Sequence, residues 1–207
     1  ELGLRVLGIY PQLQRSGWSR RKVELQDYLL DKPLSRHAEA LRSIYTALIQ
    51  RMPQARNGHV VSVVSAMPGE GKSTLVSSLA RMVAKSGYRV LAIDCDLRHP
   101  KLHRYFHLIG VNKAEDLSEY LQSGEGRDNL AQSDSRSSAK VVATTSRPDQ
   151  PELLLLADRL KNLIDALRPQ YDIILIDTPP VALFSDASEL CRLSDQCVLV
   201  VQWLKSN

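Results

Sequence analysis

The pattern of apolar and polar positions divides the chain into two parts. Between residues 35 and 52 the apolar side chains recur three or four positions apart, as on one face of a helix; they are Leu41, Ile44, Tyr45, Leu48 and Ile49. This spacing predicts a helix that Pro53 ends. Before it, Leu4 to Tyr10 is predicted to be extended, and the polar, basic residues 11–33 are predicted to form a linker.

From His59 onward, short apolar runs alternate with longer amphipathic segments. The apolar runs predict strands at 60–65, 89–94, 140–143, 173–177 and 197–201. The segments between them predict helices at 71–86, 115–122, 151–167 and 185–192, and a mobile loop at 123–138. Strands that are apolar on both faces are typical of parallel sheets covered by helices. The chain is therefore predicted to be an α/β protein with a doubly wound, mainly parallel sheet and helices on both faces.

Composition is that of a soluble globular domain. The 207 residues are 43% hydrophobic and 24% charged, which is ordinary for a packed domain. No apolar run approaches the ~18 residues that cross a bilayer. Cys95, Cys191 and Cys197 have no metal-ligand spacing, and we expect them to be reduced, small and buried.

Positive charge is concentrated in the N-terminal part of the chain. Residues 1–58 hold ten Lys and Arg against five Asp and Glu, whereas the remainder holds seventeen against eighteen. A basic arm can meet nucleic acid or an anionic membrane, and a merely solvated arm is equally common. Few aromatic residues accompany these charges, so we expect no nucleic-acid partner.

One loop carries the strongest chemical signal. Between the first predicted strand and the helix after it stands Ser65-Ala-Met-Pro-Gly-Glu-Gly-Lys-Ser-Thr74. Glycines at 69 and 71 let main-chain N–H groups turn toward a phosphate, and the helix N-terminus favours the same anion. Lys72 would reach the β- and γ-phosphates, and the Ser73 hydroxyl would ligate Mg²⁺. The pattern predicts a P-loop NTPase-like domain whose nucleotide-binding residues are Pro68, Gly69, Glu70, Gly71, Lys72, Ser73 and Thr74.

Three acids follow two of the predicted strands. Asp94 and Asp96 stand at the end of one strand, and Asp177 stands at the tip of another, as in a Walker B element. These strand ends lie on the ligand-binding edge of an open α/β sheet. We expect Ser73, Asp96 and Asp177 to hold Mg²⁺, and Lys72, Asp94, Asp96 and Asp177 to be catalytic. Which of Asp94 and Asp96 accepts a proton stays open.

Two further features near the acids have ordinary explanations. Arg98, Lys101 and Arg104 form a basic patch that could hold an acidic or phosphorylated tail, although a solvated surface is the favoured interpretation. Asp186 stands at the start of a predicted helix, where N-capping explains it.

The loop and the acids together resemble one family. Pro68-Gly-Glu-Gly-Lys-Ser73, combined with Asp94-Cys-Asp-Leu-Arg98, is similar to the bacterial tyrosine kinases, or BY-kinases, the cytoplasmic modules of polysaccharide co-polymerases. Met67 stands where positioning ATPases such as MinD and ParA carry a second lysine. The resemblance continues through Phe106, and it returns at 116–121, at 151–154, in Glu39-Ala-Leu-Arg42 and at 4–10. Two positions depart from the family pattern: Tyr45 replaces a second arginine, and Gln150 replaces an asparagine.

The resemblance implies a set of expectations. ATP or ADP with Mg²⁺ would bind at the loop, in a protein-tyrosine autokinase that controls exopolysaccharide or capsule polymerisation and export. Residues 1–33 would be a juxtamembrane arm and linker, and 34–207 the kinase domain, with the C-terminus truncated. The whole would be the cytoplasmic domain of a bacterial inner-membrane protein. Its partners would be further copies in a ring, through the helix with Glu39 and Arg42, its own tyrosine-rich tail, the export machinery and a phosphotyrosine phosphatase.

Two alternatives to a kinase stay open at the level of the sequence. The seven tyrosines are scattered, which is compatible with an ATP-dependent assembly switch of the MinD/ParA type in a polysaccharide export complex. The basic arm alone suggests a nucleic-acid partitioning ATPase, which is the least favoured of the three. Detection of phosphotyrosine separates the first two, and salt-dependent DNA binding tests the third.

Overall fold

A six-stranded sheet forms the centre of the computed structural model, which describes residues 5–11, 27–52, 58–108, 110–112, 115–156 and 158–202. The strands are β1 His59–Ser65, β2 Val90–Asp94, β3 Ala131–Ser133, β4 Lys140–Val142, β5 Ile173–Asp177 and β6 Gln196–Val200. Their order across the sheet is β3-β4-β2-β5-β1-β6. The pairings are parallel except that of β3 with β4, which is antiparallel.

Helices surround this sheet. In chain order they are α1 Tyr28–Asp31, α2 Arg36–Ile49, α3 Lys72–Lys85, α4 Leu102–Tyr105, α5 Leu117–Ser123, α6 Pro151–Leu156, α7 Asp158–Leu167 and α8 Asp186–Arg192, with 3-10 turns at Arg127–Asn129 and Arg168–Gln170. The predicted helix 151–167 is described as α6 and α7, with residue 157 outside the described ranges. In the part of the chain that the structure describes, no helix has the length and apolar character needed to cross a membrane.

Two apolar layers cover the two faces of the sheet. The apolar stripe of α2 joins α3 on one face, where Leu41, Leu48 and Leu79 are buried in one cluster. On the other face Leu121, Leu160 and Leu190 bring α5, α7 and α8 into a second cluster. The apolar surface that each layer removes from water stabilises the fold by about 25 cal/mol per Å². The prediction of a doubly wound, mainly parallel sheet with helices on both faces is confirmed.

The register of the central strands aligns their carboxyl ends. Asp94 of β2 lies opposite Asp177 of β5, and Val63 of β1 lies opposite the same aspartate. Side chains along β1, β2 and β5 are buried throughout, as expected for the central strands of a parallel sheet that is covered on both faces. The phosphate-type loop after β1 and the acids after β2 and β5 are therefore brought to one edge of the sheet.

The predicted mobile loop at 123–138 is wrong in part. It contains the 3-10 turn at Arg127–Asn129 and the edge strand β3. Asp134, which follows β3, is buried because the fully buried guanidinium of Arg81 donates to its two carboxylate oxygens at 2.9 Å each. Local polarity indicated a loop, whereas an arginine more than fifty residues away orders the segment.

Part of the predicted linker is also structured. Tyr28–Asp31 forms one helical turn with Leu29 buried. Asp27 before it is buried and accepts from Arg81 at 2.5 Å, with His107 at 2.8 Å and Arg136 at 3.1 Å from its other oxygen. Residues 12–26 lie outside the described ranges, and a domain boundary between 33 and 34 stays a prediction.

The helix expected to mediate self-association exposes one of its sides. Glu39 and Arg42 lie on the exposed side of α2 and form an ion pair of 2.6 Å. Arg42 also donates to the carbonyl oxygen of Pro33. The opposite side of α2 is used inside the domain, since Leu41 and Ile44 are buried.

Candidate active site

The loop after β1 is shaped by its glycines. Gly69 and Gly71 have φ angles of 82° and 103°, in the left-handed region that L-residues rarely adopt. A Cβ built at either position meets nothing within 4 Å, so open space lies before the loop. Gly71 is also the N-cap of the 14-residue helix α3, and the first N–H groups of a helix have no partner inside it. This end of α3 therefore attracts an anion.

Polar contacts inside the loop fix its shape. The Glu70 carboxylate accepts from the main-chain N–H of Met67 at 2.7 Å and from that of Gln202 at 3.2 Å. The Ser65 hydroxyl donates to the Met67 carbonyl oxygen at 2.8 Å. The Glu70 carboxylate is therefore occupied. Glu70 would contact a phosphate through its main-chain N–H group.

Lys72 lies among the acids. Its side chain is buried, and Nζ donates to Ser65 Oγ at 2.9 Å. Burial lowers the pKa of Lys72, while the negative charges of Asp177 and Asp96 act in the opposite direction. The ammonium group is thus held at the root of the loop, close to the carboxylates.

Asp177 is a buried acid whose charge the protein compensates only in part. It is fully buried, and neither carboxylate oxygen makes a hydrogen bond with a described residue. Burial raises the pKa of Asp177 to about 7; the Ser73 hydroxyl lowers it, the charge of Asp96 raises it, and Lys72 lowers it. Unpartnered carboxylate oxygens beside a phosphate-type loop are the ligands that Mg²⁺ prefers. The residues present therefore fit the metal that the loop implies.

Asp94 and Asp96 differ in what they contact. Asp94 is fully buried, and its Oδ2 accepts from the N–H groups of Lys101 and Leu102 at 2.9 and 2.8 Å. Burial, followed by the charge of Asp177, raises the pKa of Asp94 well above its ordinary value. Asp96 is 6% exposed and accepts from the His99 N–H at 3.0 Å. Asp94 thus anchors the turn before α4, whereas Asp96 is also buried but keeps a small exposed fraction.

The sequence favoured a solvated surface for Arg98, and this prediction is wrong, because the side chain is paired inside the protein. Its guanidinium donates to Asp186 at 2.8 Å and to Glu152 at 3.1 Å, and it lies 4.2 Å from the centre of the Phe184 ring. It therefore ties α6 and α8 to the segment after Asp96. The N-cap interpretation of Asp186 is wrong, because Ser185 is the N-cap and the Asp186 carboxylate pairs with Arg98.

Asp116 holds the start of α5 against the segment after β4, a role that the sequence analysis did not assign to it. Its carboxylate accepts from the Ser118 N–H at the start of α5 and from the N–H groups of Thr145 and Ser146 after β4. Although burial alone would raise the pKa of Asp116, hydrogen bonds from the Thr145 and Ser118 hydroxyls, together with the N–H groups of Thr145 and Ser146, outweigh it and lower the pKa. Its place before a short amphipathic helix is the N-cap signal that could have marked it.

The apolar side chains beside the loop are exposed. Val181 and Ala182 donate main-chain N–H groups to the carbonyl oxygens of Ser65 and Ala66, at 2.9 and 3.2 Å. Val181 and its neighbour Leu183 are 37% and 52% exposed. A strip of uncovered apolar surface thus borders the phosphate-type loop.

Comparison with known proteins gives matches over most of the chain. The model of a family described as "AAA domain" matches residues 58–205. A putative tyrosine-protein kinase EpsB of Ralstonia solanacearum is 36% identical over 169 residues, which are 82% of this chain and 22% of that protein. Tyrosine-protein kinase etk of Escherichia coli K12 is 31% identical over 200 residues, 97% of this chain and 26% of that protein. The chain thus spans about a quarter of the length of the curated relatives it matches.

Solved structures give the same result. The kinase domain of E. coli tyrosine kinase ETK matches with a TM-score of 0.86 and 28% identity, over 99% of this chain and 81% of that one. The BceF tyrosine kinase domain matches with a TM-score of 0.76 and 29% identity, over 87% and 71%. The cell division ATPase MinD of Pyrococcus furiosus, at a TM-score of 0.61 and 24% identity over 69% and 59%, shares the fold.

The resemblance to BY-kinases predicted from the loop and the acids is confirmed by these matches. The family model covers β1, the loop, β2, β5 and β6, that is, every element that builds the site. The chain therefore belongs to the AAA domain family and is a relative of the kinase domains of bacterial tyrosine kinases.

Proposed function

We propose that this chain is the ATP- and Mg²⁺-dependent tyrosine kinase domain of a membrane protein that controls polysaccharide polymerisation and export. The observation that carries the proposal is the set of buried carboxylate oxygens without partners beside Lys72 and the glycine loop. A purely structural acid would be hydrogen-bonded. The relatives named tyrosine-protein kinase support the reaction class.

The loop would bind the phosphates of ATP. Main-chain N–H groups from Gly69 to Thr74 and the N-terminus of α3 offer donors to the phosphate oxygens. Lys72, held at the root of the loop by Ser65, would place its ammonium group at the β- and γ-phosphates. Pro68 limits the flexibility of the loop before the glycines.

Ser73, Asp96 and Asp177 would hold Mg²⁺, since a hydroxyl and carboxylates are ligands that this ion takes. Bound Mg²⁺ supplies positive charge that neutralises phosphate oxygens. In the chain itself, the carboxylates of Asp177 and Asp94 lie in register and raise each other's cost of ionisation. A bound cation would therefore offset part of the cost of ionising them.

Asp96 is the better candidate to orient the acceptor tyrosine. The carboxylate of Asp94 is fully buried and accepts from two N–H groups of the turn before α4, whereas Asp96 accepts from one N–H group and keeps a small exposed fraction of 6%. In the reaction the tyrosine oxygen forms a bond with the γ-phosphorus, the bond to the bridging oxygen breaks, and ADP leaves. The tyrosine proton passes to the Asp96 carboxylate.

The apolar strip at Val181 and Leu183 supports a peptide acceptor. Its exposed side chains border the loop, so the ring of a tyrosine and its neighbours could be held there while the hydroxyl points to Asp96. The tyrosine would come from another copy or from a tyrosine-rich tail of the same protein. Glu39 and Arg42 of α2 would contribute to the contact between copies, after opening their own ion pair.

The wider setting rests on the resemblance to BY-kinases. One relative is called a putative tyrosine-protein kinase in the cps region of Klebsiella pneumoniae, which supports a link to capsule production. The resemblance further implies that the protein would be held at the inner membrane, act with a polysaccharide export assembly and be reset by a phosphotyrosine phosphatase.

The kinase proposal is tested by labelling. The longest protein that contains this chain is incubated with Mg-ATP and probed for phosphotyrosine, beside Lys72→Met and Asp96→Asn. Label in the wild type and loss in both variants is expected. Binding of ATP with no phosphotyrosine, but with ATP-dependent assembly, would instead select the MinD/ParA-like assembly switch. Asp172→Asn, at an equally buried acid outside the site, should retain the label.

A further inference from the structure

A strap of extended chain lies against α2 and α3. This strap, residues 5–11, has no helical or strand structure, and none of its main-chain groups pairs with another main-chain group of the described residues. Its Leu7 and Tyr10 pack against the apolar cluster that α2 and α3 share. A Cβ built on Gly8 would lie 3.1 Å from the Ile44 side chain, so the strap runs close to α2. Side-chain packing therefore holds the strap in place.

Tyr10 is the centre of this contact. Its hydroxyl donates to Ser78 Oγ of α3 at 3.2 Å, and Ser78 is fully buried. Its ring centre lies 3.9 Å from that of His37 of α2, and the Tyr28 ring meets the same imidazole edge-on at 5.4 Å. Burial raises the pKa of Tyr10 to about 12, although the hydrogen bond with Ser78 acts against this. The hydroxyl is therefore neutral where it lies.

The surroundings of the Tyr10 hydroxyl do not fit a phosphate group. A phosphotyrosine carries a charge of about −1.5 to −2 at pH 7 and three acceptor oxygens. Ser78 offers a single hydroxyl, and Arg81, three positions further along α3, is bonded to Asp27 and Asp134. A buried charge without a compensating partner is strongly unfavourable. Phosphorylated Tyr10 therefore cannot keep its present position.

Tyr10 is also the tyrosine that leaves the fold at the lowest cost. The other six tyrosines either lie in helices, at 28, 45, 105 and 120, or use main-chain groups in hydrogen bonds, at 88 and 171. To bring one of their hydroxyls into a kinase site, main-chain hydrogen bonds of the fold would have to break. Tyr10 needs only the packing of the strap to open, and such local opening is part of the ordinary motion of folded proteins.

We propose that Tyr10 is an autophosphorylation site, and that phosphate on Tyr10 keeps the strap detached from α2 and α3. The inference rests on the proposed kinase function, which supplies ATP. The Tyr10 oxygen of an open strap forms a bond with the γ-phosphorus, the bond to the bridging oxygen breaks, and ADP leaves. The hydroxyl proton passes to the Asp96 carboxylate. Removal of the phosphate lets the neutral hydroxyl return to Ser78, so the change is reversible.

The two helices under the strap connect it to the site and to the expected contact between copies. α3 begins at Lys72, directly after the glycine loop, and α2 carries Glu39 and Arg42 on its exposed side. Detachment of the strap would uncover His37, which is 3% exposed while Tyr10 lies against it. The accessibility of the His37 imidazole therefore reports whether the strap is docked or detached.

Peptide mapping after incubation with Mg-ATP tests the acceptor. The longest protein that contains this chain is used, as wild type and as Lys72→Met. Cleavage by trypsin after Arg5 and Arg15 gives a peptide in which Tyr10 is the only tyrosine. We expect phosphate on this peptide in the wild type and none in Lys72→Met. Phosphotyrosine at other positions alone overturns the inference and leaves the kinase proposal standing, whereas no phosphotyrosine at any position overturns both.

Diethyl pyrocarbonate, which modifies accessible imidazoles, tests the detachment. Once Tyr10 is phosphorylated, we expect His37 to be modified about 10-fold faster or more, with a return to the slow rate after treatment with a phosphatase. The exposed His99 is the internal control, with one rate throughout. Tyr10→Phe keeps the ring and cannot take phosphate, so its His37 should stay protected after Mg-ATP. Equal modification of His37 with and without phosphate on Tyr10, or faster modification in Tyr10→Phe after Mg-ATP, overturns the inference.

Discussion

Asp177→Asn is expected to stabilise the free domain while it removes the metal site. Both carboxylate oxygens of Asp177 are buried without a hydrogen bond among the described residues, and its neighbour in the sheet is Asp94. Asparagine has almost the same shape and no charge. The change therefore removes desolvation and repulsion without leaving a cavity.

The magnitude follows from the pKa. A carboxyl whose pKa rises from 3.8 to about 7 on folding opposes folding by at most about 4 kcal/mol above pH 7, at about 1.4 kcal/mol per unit. Burying an amide in its place costs about 1–3 kcal/mol. We therefore expect the free energy of unfolding of Asp177→Asn to exceed that of the wild type by about 1–2 kcal/mol at pH 8.

The effect must also depend on pH in one direction. Between about pH 4 and pH 7 the folded protein keeps a proton on Asp177 that the unfolded chain has released. The wild type therefore loses stability from this group as the pH rises through that window, and the penalty is complete above it. The advantage of Asp177→Asn should shrink by about 3 kcal/mol from pH 8 to pH 5, the cost of about two pH units below the folded pKa.

Urea unfolding with EDTA and without nucleotide measures the effect at the two pH values. The matched control is Asp172→Asn, at a buried acid beside the same strand that accepts from Arg89 at 2.8 and 2.9 Å. That change should destabilise by about 1–3 kcal/mol, because it weakens satisfied hydrogen bonds. The reasoning is refuted if Asp177→Asn destabilises the domain at both pH values.

Three further predictions address the rest of the account. Arg81→Leu removes from the buried acids Asp27 and Asp134 the guanidinium that they share and should cost about 3–5 kcal/mol in urea unfolding; adding D27N and D134N should recover part of the loss, and an additive further loss would contradict this. Gly71→Ala imposes a φ of 103° on an L-residue and should cost about 1–3 kcal/mol in stability or weaken Mg-ADP binding by 10-fold or more; an unchanged protein in both assays would contradict the loop geometry. Arg98→Ala breaks two ion pairs and should increase hydrogen exchange at the start of α8, with no change expected in β4.

The sequence predicted those parts of the molecule that local pattern determines. The conformation of the loop at 65–74 could be predicted locally, because glycines stand at its two positions with a left-handed backbone. Continuous apolar runs gave β1, β2 and β5, and the acids at their ends marked the site edge. The helix α2 was also predicted correctly, because its apolar stripe is a local pattern.

What the sequence did not predict depends on contacts between distant residues. Arg81 looks like any helix arginine, yet it is fully buried between Asp27 and Asp134. The partners of Arg98 lie more than fifty residues away. The choice between Asp94 and Asp96 needed the turn before α4, whose N–H groups occupy Asp94. Only tertiary structure supplies these pairings.

Calorimetric titration of Mg-ADP into the purified chain tests the central claim most directly. The account predicts saturable binding that weakens sharply when EDTA removes the metal, and that is lost in Lys72→Met and in Asp177→Asn, both of which stay folded. Absence of binding by the wild type, or binding of Mg-ADP by Asp177→Asn as tight as that of the wild type, would contradict a nucleotide and metal site built by the loop and the acids.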